Sequence, residues 1–342
     1  MNPLRPLAAA ALVALMLASL ALPNAHAVTI DWVTVGNPGN AADTTGNPNP
    51  AGAVADSFQI MKYEFTNQQY TDFLNSVAAT DTYSLYSAGM FNQNRGGIAR
   101  SGASGSFTYS VESNKGDKPV NFVSWFDAAR VANWLHNGQG SGSTETGAYT
   151  LVGGQTSGTA PAANPGASYF LPTEDQWYKA AYYKGGSTNA GYWDYATQSD
   201  TAPTPVTAGP TGIGSAGNTG NFANYNAGAN WNGDAGNVTT VGTNGGASAY
   251  GAFDMNGNLY EWNDLTGAAG SSRGIRGGYG NSAASELSSS STGAIDASLE
   301  GFDVGFRLAS PVAVPEPSTW VMGLAGIACG GWQMVRRRRA RS

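Results

Sequence analysis

Three stretches of the chain carry apolar residues at the spacing of one helix face. Each stretch follows a residue type that commonly caps helices, namely Thr66, Ser124 or Thr173. The apolar positions are Tyr70, Phe73, Leu74 and Val77 in the first stretch, Trp125, Ala128, Ala129, Ala132 and Leu135 in the second, and Trp177, Ala180 and Ala181 in the third. Gln176 completes a capping box with Thr173, and Asn137-Gly138 ends the second stretch. The pattern therefore predicts three short helices that each bury one face in a core.

Long polar segments separate these helices. Gly, Ser, Asn and Thr dominate residues 138–166 and 185–220, and the chain contains 47 glycines. Few short helices joined by long loops indicate an irregular α+β domain. We expect one domain over residues 57–310. It is preceded by an extended leader over residues 28–56, because residues 37–52 are rich in Gly, Asn, Pro and Thr and show no apolar period.

The first 27 residues have the pattern of a secretory signal peptide. Arg5 precedes an apolar run over residues 7–22, and Ala25-His26-Ala27 supplies small residues for cleavage. We therefore expect export, with Val28 as the first residue of the mature protein.

Residues 314–342 resemble a PEP-CTERM sorting tail. Pro315-Glu316-Pro317 precedes an apolar stretch of about 16 residues, and five arginines over residues 336–341 follow it. The stretch is slightly short for a bilayer that needs about 20 residues, but it can span with local thinning, and the arginines hold its end in the cytoplasm. The resemblance implies transient anchoring in the inner membrane and cleavage by an exosortase-type protease. Release to the cell surface or the extracellular matrix then follows. A plain single-pass anchor is the alternative.

Composition excludes several classes of function. Between Val28 and Pro315 there are 11 Lys and Arg against 22 Asp and Glu, a formal charge of −11, which would repel nucleic acid. The single cysteine, Cys329, lies in the tail, and His136 is the one histidine left after signal cleavage. Clusters of Cys and His that would bind zinc, iron or copper are therefore absent from the sequence.

A turn between two carboxylates is the strongest candidate for metal chemistry. Asp254 and Glu261 flank the turn Asn256-Gly257-Asn258. Calcium takes about six to eight oxygen ligands from carboxylates and carbonyls, and such a turn aims backbone carbonyls inward. A solvated hairpin is the alternative interpretation of an Asn-Gly turn beside an acidic residue.

The same segment resembles the Gly-Asn-x-x-Glu-Trp signature of the formylglycine-generating enzyme family, also called sulfatase-modifying factors. Four further blocks match that family in its own order. They are Met61 to Asn67 running to Phe73-Leu74-Asn75, Lys118-Pro119-Val120 with Val123 to Ala129, Leu171 to Glu174 with Gln176-Trp177, and Arg276-Gly277-Gly278 with Gly305-Phe306-Arg307. The blocks extend from about Ser57 to Ala309. The resemblance implies a variant of the C-type lectin fold.

The resemblance also implies two calcium sites. The first would use the side chains of Asp254 and Glu261 with the carbonyls of Gly257 and Leu259. Asp254 stands where the best-known members have asparagine, which keeps an oxygen and adds a charge. The second site would use the Asn224 side chain, the Tyr225 carbonyl and Asp234. A Gly/Asn-rich surface loop is the alternative for both segments.

The catalytic cysteines of the family have no counterpart here. In the formylglycine-generating members, two cysteines five residues apart follow the double glycine and bind copper, and Ser282 and Leu287 stand at those positions. A hydroxyl oxygen is a hard donor and leucine has no donor, so we expect no copper and no formylglycine chemistry by that route. Ser282 as a nucleophile would need a base, and His136 is the one candidate, without a Gly-x-Ser-x-Gly elbow around any serine.

Other acidic residues are expected to be structural. Glu174-Asp175 begin a predicted helix, where acidic side chains favour the helix dipole. Glu64 is expected to form a buried ion pair with Arg307 or Arg276.

The leading hypothesis is an exported, calcium-stabilised and non-catalytic binding domain. Its cleft near Tyr279, Asn281 and Ser282 would contact a glycan or an exported peptide or protein, because binding residues concentrate on loops held by a scaffold. One alternative is an oxidative enzyme of the same family with a non-cysteine centre. The other is an accessory factor for another exported protein.

Overall fold

The computed structural model describes residues 27–311 of the chain. The α-helices in that range are α1 Asn67–Val77, α2 Gly89–Asn92, α3 Trp125–His136, α4 Glu174–Tyr182 and α5 Ala284–Leu287. The strands are β1 Trp32–Val35, β2 Phe58–Met61, β3 Ile98–Ser101, β4 Thr108–Val111, β5 Thr204–Pro205, β6 Phe222–Ala223, β7 Asn230–Trp231, β8 Asp234–Ala235, β9 Tyr260–Asn263, β10 Ser272–Arg276, β11 Gly293–Asp296, β12 Val304–Gly305 and β13 Ala309–Ser310. A short 3-10 helix over Val152–Gly154, turns and loops make up the remainder, so the irregular α+β fold is confirmed.

The predicted sorting tail and the predicted signal peptide, apart from Ala27, lie outside the described residues. Within residues 27–311 no helix combines the length and the apolar character that a membrane span requires.

The three predicted helices form, and each begins with a capping box. Thr66, Ser124 and Thr173 each accept a hydrogen bond from the backbone N–H three residues on, and the residue at that position bonds back. In α3 the returning side chain is Asp127, whose Oδ2 accepts from the Ser124 N–H at 2.8 Å. Every residue of α3 from Trp125 to Leu135 is buried, so this helix is the centre of the fold.

A four-stranded sheet carries the sequence motif around residues 254–262. Its strand order is β11-β10-β9-β12, with β9 antiparallel to β10 and parallel to β12. In this register Glu261 on β9 lies opposite Arg276 on one side and Gly305 on the other. A separate sheet of order β1-β2-β13 joins the first and last strands of the described chain.

Residues 28–56 are packed against the domain and do not form the extended leader that we expected. Val28 and Ile30 are buried in the main apolar cluster, and β1 pairs with β2 along its whole length. The Asp43 carboxylate accepts a hydrogen bond from the Tyr178 hydroxyl of α4 at 2.7 Å. The segment belongs to the domain because its apolar residues complete the core, although polar residues separate them.

Candidate functional site

Glu261 is held in a buried ion pair at the centre of the four-stranded sheet. Arg307 donates from Nε and Nη2 to the two Glu261 carboxylate oxygens, each at 2.6 Å. The indole N–H of Trp177 donates to the same carboxylate at 2.8 Å. Both oxygens of Glu261 therefore have partners within the protein, and the pair is bidentate, the strongest geometry for an arginine and a carboxylate.

Asp254 lies beside this pair in a strained backbone conformation, with φ of +56°. Its carboxylate accepts from the Gly242 N–H at 2.5 Å and from the Asn244 amide at 2.9 Å. Burial raises the pKa of Asp254 in spite of these two hydrogen bonds. The charge of Arg307 also lowers the pKa of Asp254, but the effect of burial is larger.

The turn between Asp254 and Glu261 meets the segment around Asn224. The Asn258 N–H donates to the Asn224 carbonyl at 2.9 Å, and Gly257 forms an isolated parallel bridge with Asn224. A Cβ on Gly257, where φ is +78°, would lie 2.1 Å from the Asn224 carbonyl oxygen, so only glycine fits. The structure thus brings the turn of the first predicted calcium site against Asn224 of the second.

Asn224 is fully buried, and one of its polar atoms has no partner. Its amide nitrogen donates to the Asn237 carbonyl at 2.8 Å and to the Thr239 and Asn258 side chains. Its Oδ1 has no hydrogen-bond partner. A buried amide oxygen without a donor can be satisfied by a hydrogen-bond donor or by a cation, so Asn224 is compatible with oxygen ligation of a metal ion.

Asp234, the third predicted ligand of that site, has a different partner. Both of its oxygens accept from Arg95, from Nε at 2.7 Å and from Nη2 at 3.4 Å. Tyr225 is buried in a small apolar cluster with Ala223 and Leu287. No group of three or more His, Cys, Asp or Glu side chains within residues 27–311 is arranged to hold a metal ion. A calcium ion at this second predicted site would therefore depend on amide and carbonyl oxygens as its ligands.

A cleft of about 280 Å³ lies next to the Arg95–Asp234 pair. We call it the Arg95 cleft, and it is lined by Gln93, Asn94, Arg95, Asp234, Asn281 and Phe302. The guanidinium carbon of Arg95 lies 5.8 Å from the ring centre of Tyr279 and 5.2 Å from that of Phe302. Arg95 is only 4% exposed and its Nη1 has no partner, whereas Phe302 is 43% exposed.

Two of the three predicted ligand-binding residues lie at this cleft. Asn281 lines it, with its amide oriented to accept from Arg95 and to donate to the Ala235 carbonyl. Tyr279 lies beneath the Arg95 guanidinium. The cleft also contains Arg95, which the sequence analysis missed because it sits in a loop of the form Asn-Arg-Gly-Gly without an apolar period or a recognised motif.

Ser282 lies behind the cleft and is not exposed to it. Its hydroxyl is buried, donates to the Tyr260 hydroxyl at 3.3 Å and accepts from the Tyr279 N–H at 3.1 Å. The Tyr260 hydroxyl donates in turn to Glu286 at 2.7 Å, and burial raises the pKa of Tyr260 to about 12. In spite of burial, hydrogen bonds from Tyr260 and Ser282 lower the pKa of Glu286, so the Ser282 hydroxyl has a neutral phenol and a carboxylate as neighbours in a buried position.

The remaining candidates have structural roles. The ring Nδ1 of His136 accepts from the Ser168 N–H at 3.1 Å at the end of α3. Glu174 forms a buried pair with Arg276, and it also accepts from Asn263 at 2.7 Å, so it does more than favour the helix dipole.

Glu64 pairs with neither arginine that we expected. Its Oε2 accepts from the Asn258 amide at 2.8 Å, and its Oε1 has no partner. The two arginines are bound instead by Glu261 and Glu174, which lie closer to them across the sheet and at the start of α4. Burial and the charges of Asp254 and Glu261 raise the pKa of Glu64 well above its ordinary value.

Three solved structures are similar to this chain. Treponema denticola variable protein 1 shares 18% sequence identity with a TM-score of 0.47, and the match covers 84% of this chain and 97% of that one. CarF shares 22% identity with a TM-score of 0.48, covering 83% and 99% of the two chains. PvdO from Pseudomonas aeruginosa shares 20% identity with a TM-score of 0.42, covering 83% and 92%.

None of the curated proteins matches the chain. One family model does match, and its description is sulfatase-modifying factor enzyme 1-like domain. The match extends over residues 23–312, which is most of the 342 residues. The chain therefore belongs to the sulfatase-modifying factor family.

Proposed function

We propose that the protein is an exported, calcium-stabilised domain that binds a glycan or a peptide and catalyses no reaction on it. The binding surface is the Arg95 cleft. The observation that carries this proposal is the Nη1 of Arg95, which is buried at the cleft without an acceptor. An unsatisfied buried donor costs about 1–3 kcal/mol, and a ligand that brings a hydroxyl or carbonyl oxygen would remove that cost.

The cleft has the chemistry of a binding surface for polar ligands. The exposed ring of Phe302 offers an apolar face, and the amides of Gln93, Asn94 and Asn281 can each donate and accept hydrogen bonds. Sugar rings and peptide groups both combine apolar faces with paired donors and acceptors. This combination supports a glycan or a peptide as the ligand.

The absence of catalysis is supported by the residues at positions 282 and 287. Ser282 is buried next to a neutral phenol, and Leu287 is packed against Ala223 and Tyr225. Neither side chain supplies a nucleophile or a ligand for a redox metal at the cleft.

Calcium binding is supported by an excess of buried negative charge. Glu64, Asp254 and Glu261 are all buried and interact electrostatically, and Arg307 is the one guanidinium among them. Buried carboxylates without a compensating charge are costly, so a cation or protons must balance two of the three.

The proposed calcium ligands fit the structure in part. The free Oδ1 of Asn224 fits oxygen ligation. Asp254 and the carbonyls of Gly257, Leu259 and Tyr225 are further oxygen donors, although both Asp254 oxygens already accept hydrogen bonds from neutral groups. Glu261 and Asp234 fit less well, because Arg307 and Arg95 occupy their oxygens.

Export and surface location rest on the sequences of the two ends. The proposal includes transient anchoring in the inner membrane and processing of the tail by an exosortase-type protease. Mass spectrometry of the protein recovered from the cell surface tests both steps. The expected N-terminus is Val28, and the expected C-terminus lies near Pro315-Glu316-Pro317.

A glycan array and a peptide library, probed with the purified calcium-loaded protein, test the binding function. We expect selective binding to one of the two libraries. Phe302→Ala should weaken that binding at least about tenfold, because it removes the apolar face of the cleft. Phe222→Ala is the matched control, since Phe222 is 37% exposed and does not line the cleft.

Equal losses in the two variants would place the ligand elsewhere. Metal analysis of the same preparation addresses the enzyme alternative. A stoichiometric redox metal would replace the binding proposal with an oxidative one.

A further inference from the structure

One edge of the four-stranded sheet is open to solvent. The sheet has the order β11-β10-β9-β12, so β11 and β12 are its outer strands. Both residues of β12 are buried, so the rest of the domain covers that edge. β11 pairs with no strand other than β10 within residues 27–311, and its residues alternate between half-buried and exposed.

The backbone groups of β11 alternate in direction, as they do in any antiparallel strand. The Ala297 N–H, just after β11, donates to the carbonyl of Ser271, just before β10, at 3.0 Å. Every second residue before Ala297 bonds to β10 in the same way. The residues between them, Ala294 and Asp296, therefore direct their N–H and C=O groups away from β10. Both of these residues are exposed.

Most of these outward groups have no partner. Among the described residues, nothing bonds to the N–H or the carbonyl of Ala294 or to the N–H of Asp296. The Asp296 carbonyl accepts from the Leu299 N–H at 3.1 Å, which turns the chain and ends the strand. An exposed edge of this kind can pair with a strand from another chain.

The distribution of charge indicates which kind of chain fits this edge. Between residues 28 and 311, eight of the eleven lysines and arginines are buried, against seven of the 22 acidic residues, so the accessible surface is strongly acidic. Residues 277–306, which include β11, contain four acidic residues and neither lysine nor arginine, and Asp296 and Glu300 are exposed. A positively charged chain complements this edge, whereas a second copy of the protein would bring like charges together.

We propose that β11 binds an extended segment of a partner polypeptide that carries lysine or arginine side chains. The segment adds to the sheet as an antiparallel strand, and its main chain bonds to the free groups of Ala294 and Asp296. A basic side chain directly opposite Asp296 pairs with the Asp296 carboxylate. β11 shares no residue with the lining of the Arg95 cleft, so this surface is separate from the one in the proposed function.

Fluorescence anisotropy of a labelled peptide, titrated with the purified full-length protein at low ionic strength, tests the proposal. The probe is the heptapeptide Thr-Lys-Val-Lys-Val-Lys-Thr. We expect it to bind, and the same peptide with glutamate in place of lysine to bind at least about tenfold more weakly because like charges then face each other.

N-methylated peptides separate main-chain pairing from simple attraction between charges. A lysine opposite Asp296 directs its own N–H towards β11, so methylation of the lysine amides removes these donors and keeps the charge. We expect this change to lower the affinity at least about tenfold. Methylation of the valine amides, which lie on the other edge of the peptide, is the matched control and should have a smaller effect.

Ala294→Pro removes an outward N–H and leaves the bonds to β10 in place, and proline is tolerated at such edge positions. We expect it to lower the affinity for the lysine peptide at least about tenfold. Thr34→Pro is the matched control, because Thr34 likewise faces away from its neighbour at the outer edge of β1. If Ala294→Pro does not fold, Asp296→Lys decides. It should abolish binding, whereas Asp56→Lys, the same change of charge at an exposed position outside residues 277–306, should weaken it far less.

Four results would overturn the proposal. They are the absence of binding by the lysine peptide, equal affinity for the glutamate peptide, equal affinity for the peptide methylated at lysine, and unchanged affinity in Ala294→Pro, or in Asp296→Lys where that one decides. Dimerisation of the wild-type protein that the deciding variant abolishes, without peptide binding, would assign the edge to a second copy instead.

Phe302→Ala separates this result from the proposed function. Because Phe302 lines the Arg95 cleft and is not part of β11, we expect the variant to bind the lysine peptide as the wild type does. A loss of binding in Phe302→Ala, with none in the β11 variants, would place the peptide in the Arg95 cleft and contradict the assignment to β11.

Discussion

At the scale of single residues, the fold depends on charges buried in pairs. Arg307, Arg276 and Arg273 are each almost fully buried, and each lies against a carboxylate. The sequence predicted that buried pairs would exist and assigned Glu64 to the wrong partner. Glu174 and Glu261 each lie more than 40 residues from their arginine in the sequence. No local spacing therefore indicates which of Glu64, Glu174 and Glu261 pairs with a given arginine.

We expect Arg307→Met to destabilise the protein by about 3–5 kcal/mol, because it leaves Glu261 buried without its partner. The double variant Arg307→Met with Glu261→Gln should recover part of the loss, since the second change removes the stranded charge and keeps an acceptor for Trp177. Urea unfolding at pH 7 measures both values. A double variant no more stable than the single one would contradict this account of the pair.

The carboxyl group of Asp127 should make stability depend on pH. Burial raises its pKa from 3.8 to about 7, while hydrogen bonds from Ser124 act in the opposite direction. The folded state therefore prefers the protonated form, so this contribution to stability is full below about pH 4 and declines as the pH rises to about 7.

Asp127→Asn removes that titration and keeps an acceptor for Ser124. The difference in unfolding free energy between wild type and variant should change by on the order of 2–4 kcal/mol between pH 4 and pH 7, since one pKa unit corresponds to about 1.4 kcal/mol. The exposed acid Asp56, changed to Asn, serves as the control. A constant difference across that range would show that Asp127 has an ordinary pKa in the folded state.

At the scale of elements, the three longer helices were predictable and the first strand was not. The capping boxes of α1 and α4 involve residues three apart, and the apolar faces repeat within a few turns, so the local sequence contains the signal. Strand β1 has four residues and gains its stability from β2, which lies more than 20 residues away. α2 and α5 are single turns and were missed for a related reason, since one turn has no period to detect.

Thr173→Ala should cost about 0.5–2 kcal/mol by removing the cap of α4. Thr188→Ala, at an exposed loop position, is the matched control and should change stability by less than about 0.5 kcal/mol. Thermal unfolding followed by circular dichroism compares the two. Equal melting temperatures would mean that tertiary packing alone defines the start of this helix.

Ile30→Ala distinguishes a packed N-terminal segment from a detached leader. Ile30 is buried, so its truncation should cost about 2–5 kcal/mol, whereas Thr34→Ala on the exposed side of β1 should have a small effect. Urea unfolding of the two variants provides the measurement. A wild-type stability for Ile30→Ala would show that residues 28–56 contribute nothing to the core.

At the scale of the whole molecule, contacts other than those of the few helices must hold the long loops in place. The glycine content and the polar segments predicted an irregular α+β domain. This prediction of the fold class was correct because it depends on composition averaged over the whole chain. The Arg95 cleft could not be predicted, because it combines loops around residues 93–95 and 281 with Asp234 of β8 and with Phe302. Such combinations depend on the path of every loop between them.

Removal of calcium should lower the melting temperature by several degrees. A ligand present at about 100 times its dissociation constant adds about 2.7 kcal/mol to stability, and its removal withdraws that contribution and leaves Asp254 without a bound cation. Differential scanning calorimetry with calcium and with excess chelator measures the shift. Asp254→Asn should reduce the shift, and an identical melt of the wild-type protein in the two conditions would rule out both proposed calcium sites.

Within residues 27–311 five tryptophans are buried and the ring nitrogen of each is engaged, including Trp177 with Glu261, Trp125 with Asp264, and Trp262 with the Val123 carbonyl. Their emission is therefore an intrinsic optical signal that reports on the protein interior. Trp177 shares its carboxylate with Arg307, so its fluorescence should follow the state of that ion pair without any attached dye.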